Sequence, residues 1–96
     1  MSVIDKEGEK MRIWFKIYKD TRLLEEETIE DYSDETRTHK IFNALEKACY
    51  DFDLPKPIWL ETNVKEFKKR GVTKFTKDNF VEEIEFDYLE IHIIEE

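Results

Sequence analysis

The sequence predicts a small α+β domain with element order β-β-α-β-α-β, in which one long helix packs across a mixed sheet. Three observations predict it. Over 11–19, MRIWFKIYK, side chains alternate: Met11, Ile13, Phe15 and Ile17 share one side, and Arg12, Trp14, Lys16 and Tyr18 the other. Over 33–52, Ile41, Leu45, Ala48 and Phe52 recur at helical spacing, and Phe42 and Cys49 widen the same stripe. The run 89–94, LEIHII, alternates again and is apolar on more than one side, which suits a central strand.

Each element has local signals at its ends. Asp20 and Thr21 mark a turn, after which RLLEEETIEDY returns as a second, weaker strand. Glu25, Glu26 and Glu27 are consecutive, so at least one faces the wrong way in any register, which an edge strand tolerates best. Solvated edge charge explains that run more simply than an acidic binding site does. Ser33 reads as the N-cap of the long helix, with Asp34 and Glu35 in its first turn. Pro55 and Pro57 force an extended path into a short third strand at 58–60. In TNVKEFKKRGV, Asn63 as N-cap, Glu66 at the reciprocal position and Gly71 past the end define a short helix that buries Val64 and Phe67. Phe75 and Phe80 then anchor a turn around Lys77-Asp78-Asn79, and a slip of phase near Asp87-Tyr88 predicts a bulge or break before the last strand.

A chain of 96 residues makes one domain, able to bury roughly 60–65% of its unfolded surface. Residues 1–10 are polar and read as a flexible leader to a domain over 11–96. The lone Cys49 excludes an intramolecular disulfide, and a reducing cytoplasm is the expected location. No apolar run approaches membrane-spanning length. The net charge of −8 argues against general affinity for nucleic acid, although 62–77 carries six cations against a single Glu66.

The order of elements resembles the ubiquitin-like β-grasp superfamily over 11–94, where a hairpin is followed by a helix across the sheet and the last strand lies beside the first. The resemblance implies a fold only, since that architecture hosts conjugated modifiers, iron–sulfur ferredoxins and docking modules. The ending Ile93-Ile94-Glu95-Glu96 has no di-glycine for conjugation, and one cysteine cannot ligate a plant-type cluster.

Three constellations are candidates for function. If Ile13, Phe15, Ile17, Leu89, Ile91 and Ile93 face the long helix, then Trp14, Lys16, Tyr18, Glu90, His92 and Ile94 face away, and Trp59 joins them if Ile58 and Leu60 point inward. Aromatics among charges have the composition of a protein interface, which points to a protein partner or a homodimer. The second is the basic island Lys65, Lys68, Lys69, Arg70, Lys74 and Lys77. The helix dipole alone favours cations there, and an anionic partner in the nucleic-acid machinery is the alternative, as is phosphate mimicry by the acidic segments. The third, His39, Cys49 and His92, lacks the paired spacing of metal ligands or an activated nucleophile. No catalytic residue, metal, cofactor or small-molecule substrate is expected, and Gly8 and Gly71 alone cannot build a phosphate-cradling loop.

Overall fold

The structure, a computed structural model, describes residues 10–96. The leader assigned to 1–10 therefore lies, Lys10 excepted, outside the described residues. Alternation makes β1, Met11–Lys19, and β2, Arg22–Asp31, into an antiparallel hairpin. Its two-residue turn holds Asp20 at φ 53° and Thr21 at φ 64°. Left-handed backbone at both positions matches the strand twist, though neither is the glycine that adopts it freely. The turn is clasped by Asp87, just before the last strand: Asp20 N donates to Asp87 Oδ2 at 2.8 Å, and Asp87 N donates to Tyr18 O at 2.9 Å.

A register shift leaves Leu24 unpaired, because Ile17 faces Glu25 while Tyr18 faces Leu23. Beyond that bulge Glu25, Glu27 and Ile29 lie opposite Ile17, Phe15 and Ile13, whereas Glu26, Thr28 and Glu30 lie opposite Lys16, Trp14 and Arg12. So two of the three consecutive glutamates do face the helix side. The edge position accommodates them, and Glu27 meets Lys47 at 3.5 Å.

Helix α1 spans Arg37–Phe52 and begins three residues later than the Ser33 cap implies. Ser33 is spent on local turns: its N–H donates to Asp31 Oδ1 at 2.8 Å and its Oγ accepts from Glu35 N at 3.3 Å. Thr36 takes the cap instead, its Oγ1 accepting from His39 N at 3.2 Å, so Asp34 and Glu35 precede the helix. The buried stripe is Lys40, Ile41, Ala44, Leu45, Ala48 and Cys49, and Phe42 falls beside it, largely exposed.

The run 58–60 is not a strand. With Pro55 and Pro57 removing donors, the connector makes no ladder there: Ile58 N donates to Asn79 O at 2.6 Å, and Leu60 O already accepts from Val64 N at 3.1 Å as the next helix begins. Helix α2, Glu61–Arg70, follows directly and stops at Gly71, whose φ of 73° suits glycine and whose N–H donates to Phe67 O at 2.8 Å. Its buried residues are Asn63 and Phe67, and Val64 is exposed. The third strand is instead β3, Val72–Phe75, a stretch to which the sequence assigned no strand, and the turn expected around Lys77-Asp78-Asn79 comes directly after it. A 3-10 turn at Lys77–Asn79 and an irregular path lead to β4, Tyr88–Glu95. The order is thus β-β-α-α-β-β, and the sheet, β2-β1-β4-β3, is antiparallel throughout and not mixed. First and last strands are neighbours, as expected.

The core lies on one side of this sheet, where Met11, Ile13, Phe15, Ile17, Leu89, Ile91 and Phe75 meet α1 and Phe67 of α2. One buried polar knot accompanies it. Asn63 Nδ2 donates to Thr73 Oγ1 and to Lys74 O, each at 2.9 Å, and Asn63 Oδ1 accepts from Leu60 N and Asn79 Nδ2. Thr73 Oγ1 in turn donates to Glu66 Oε1 at 2.8 Å, and Asn79 Nδ2 also donates to Ile58 O at 2.8 Å. Each of these asparagine side chains is satisfied, which holds connector, α2 and β3 in register.

Candidate protein-interaction face

Because α1 and α2 pack on the same side, the described residues leave the opposite face of the sheet bare. Pairing arranges it in rows: Thr28, Trp14, His92 and Val72 in one, Glu26, Lys16, Glu90 and Lys74 in the next, then Tyr18 beside Tyr88. Trp14 stacks against His92 with ring centroids 6.4 Å apart, and its Nε1 donates to Glu26 Oε1 at 2.9 Å. Lys16 is only 8% exposed. Its Nζ lies 3.7 Å from the centre of the Trp14 ring and pairs with Glu90 at 3.3 Å. Tyr18 and Tyr88 sit 5.1 Å apart, and Lys74 Nζ stands 4.5 Å over Tyr88. Arg12 bridges Glu30 at 3.2 Å and Glu95 at 3.3 Å. Each cation of the face, Arg12, Lys16 and Lys74, therefore has a partner, against the four carboxylates of Glu26, Glu30, Glu90 and Glu95. The result is a flat aromatic surface with almost no net charge, and Ile94 at its end is 41% exposed.

No protein-family model matches the chain, and no curated protein or solved structure matches it. Geometry is what identifies the face.

Of the residues expected here, Trp14, Lys16, Tyr18, His92 and Ile94 lie on or at the end of the bare face, and Trp14 is half-buried, not enclosed. Trp59 does not. The connector crosses the helix side, so strand alternation does not apply to it, and the indole packs edge-on against Phe75 at 4.9 Å, Phe67 at 5.3 Å and Phe42 at 6.1 Å. Tyr88, Lys74 and Glu26 were not expected on the face. Their place follows from cross-strand pairing, for which a single strand carries no signal.

The basic island is divided. Lys65 pairs with Glu61 at 3.5 Å, Lys74 stands on the bare face, and Lys77 begins the 3-10 turn. Lys68, Lys69 and Arg70 share the last turn of α2, where the helix C-terminus favours them, and among the described residues they make no ion pair. His39, Cys49 and His92 are likewise apart: His39 is exposed and 3.3 Å from Glu35, Cys49 is buried in α1, and His92 is on the sheet. Burial pushes the Cys49 thiol up to about 11, which keeps it protonated. Among the described residues no group of three His, Cys, Asp or Glu could hold a metal ion, and no helix is long and apolar enough to cross a membrane.

Proposed function

We propose that this chain is a protein-interaction module that acts by contact and not by catalysis, its bare sheet face seating a second protein surface. The observation that carries this reading is the one-sided placement of both helices, which leaves Trp14, Tyr18, Tyr88 and His92 pre-ordered on the other side. Aromatics held in place lose little side-chain entropy on docking, and internally paired charges need no new partner. Charge balance favours a second copy as the occupant. Two chains of net charge −8 repel through most of their surface, whereas on this face the charges nearly cancel. A single thiol kept buried and protonated suits work in a reducing compartment such as the cytoplasm.

Sedimentation at increasing concentration tests the reading. Wild type should self-associate, and association should persist in moderate salt because aromatic burial and not charge drives it. Trp14→Ala should abolish it while the circular-dichroism spectrum is retained. A wild type that stays monomeric, with Trp14→Ala capturing the same lysate proteins as wild type, removes the proposal.

A further inference from the structure

Around the C-terminal end of α1, the β1–β2 hairpin, the residues that follow the helix and the segment 82–86 enclose a cleft of about 590 Å³. Part of its lining is apolar, from Ile17 of β1, Leu24 of β2, Leu54 after α1 and Phe86 on the way to β4. Leu24 is the residue that the bulge of β2 leaves unpaired, and it is 52% exposed. Apolar surface thus meets water in a concave setting. The rest of the lining is acidic. Glu25, Asp53, Glu82, Glu83 and Glu85 stand around the cleft, and Lys19 is the one cation among its lining residues.

Two further observations say what would fill it. One is unanswered charge. Elsewhere the chain's own cations hold its carboxylates: Arg12 takes Glu30 and Glu95, Lys16 takes Glu90, Lys47 takes Glu27 and Asp51, and Arg37 takes Glu96. The side chains of Glu25, Asp53, Glu82, Glu83 and Glu85 make neither an ion pair nor a hydrogen bond among the described residues, a condition that outside the cleft only Asp20 and Asp78 share. Helix α1 adds to the negative potential, because its C-cap is Asp53 and its last turn carries no basic residue. The second is spacing. Among the described residues no three carboxylates could hold one metal ion, so the charge is spread around the rim and matches a row of cations along a chain better than a single ion.

We infer that this cleft is a docking site for a basic, amphipathic peptide segment of another protein. The peptide seats a large apolar side chain against Leu24, Leu54 and Phe86, and sets lysines or arginines against Glu25, Asp53 and the carboxylates of 82–85. The chain's own cations do not offset this rim, so a basic segment is steered to it in preference to the paired carboxylates elsewhere. The apolar lining adds a requirement that a bare polycation does not meet. The cleft shares no residue with the rows of the sheet face, and the two proposals stand or fall independently.

The probe is a phage-displayed random dodecapeptide library selected against the whole chain. Enriched peptides should combine Leu, Ile or Phe with flanking Lys or Arg. In fluorescence anisotropy their affinity should fall at least about tenfold in Glu82→Gln/Glu83→Gln/Glu85→Gln and in Leu24→Ser, an exposed site whose change spares the core. It should stay within about twofold of wild type in Glu35→Gln/Glu46→Gln/Glu61→Gln, which removes the same charge away from the cleft, and in Trp14→Ala. If the first variant unfolds, Glu25→Gln takes its place with the same direction of change. Failure to enrich any peptide, enrichment of peptides without cations, equal losses in the two triple variants, or binding kept in Leu24→Ser overturns the inference. Self-association that survives Trp14→Ala and is lost in the cleft variant puts a second copy in the cleft and overturns it as well.

Discussion

Replacing Lys16 by methionine should cost about 3 kcal/mol of stability, because it strands Glu90 on a face built around their pair. The two side chains are 10% and 14% exposed and 3.3 Å apart. At an effective dielectric of about 20, unit charges at that separation attract by roughly 5 kcal/mol, of which desolvation cancels part. Removing one partner of a buried pair typically costs about 3–5 kcal/mol, and the residual solvent access here places the loss at the low end. The ammonium over Trp14 adds about 0.5–1 kcal/mol that methionine cannot replace. Urea unfolding followed by tryptophan emission reads the effect as a midpoint lower by roughly 2 M, taking a slope near 1.5 kcal/mol per molar. Lys16→Met combined with Glu90→Leu should recover most of the loss, since an apolar pair of similar size carries no uncompensated charge. A single variant within about 0.5 kcal/mol of wild type, or a double variant no better than the single, refutes the argument that this pair holds the face together.

Thr21→Gly should stabilise the chain by about 0.5–1 kcal/mol in the same assay, because a β-branched residue at φ 64° is strained and glycine is not; no gain would mean that Thr21 sits there without cost. With its thiol raised to about 11 and buried, Cys49 should resist a colorimetric disulfide reagent at pH 8 until urea unfolds the chain, and prompt labelling of the native protein would contradict its burial. Desolvation first, then the neighbouring Asp51, raises the Glu27 carboxyl above its ordinary 4.5. A raised carboxylate contributes stability only below its ordinary value and loses it as pH climbs through the folded value, so Glu27→Gln should be the more stable chain at pH 7 and should lose that advantage below pH 4.5. Equal melting temperatures at both pH values would count against it.

How much of this was legible in the chain depended on whether the signal was local. The period of two in β1 and β4 and the stripe of α1 are set by which side of an element is buried, so Phe15, Leu89, Ile91 and Ala48 declared themselves. The consecutive glutamates placed β2 at an edge for the same reason. What escaped was fixed by partners far along the chain. Four residues, Val72–Phe75, form a strand because Gly71 O receives Ile93 N, whereas the more apolar 58–60 meets Asn79 at one end and the first turn of α2 at the other. Trp59 followed the second path and left the expected face, and Tyr88 and Lys74 entered it through pairing that no single strand encodes. The later start of α1 was missed because Ser33 and Thr36 are both good caps, and only the turn made by Asp31 decides between them.

The knot around Asn63 has a consequence for how copies of this protein can meet. Gly71 O points at β4, so alternation turns the N–H and C=O of Lys74 outward along the free margin of β3, and there Asn63 Nδ2 occupies the carbonyl. At the opposite margin β2 presents Glu25, Glu26, Glu27 and Glu30, which repel a like strand. Both borders therefore discourage the addition of another strand, one through the like charge of its glutamates and the other through a carbonyl already taken at its middle.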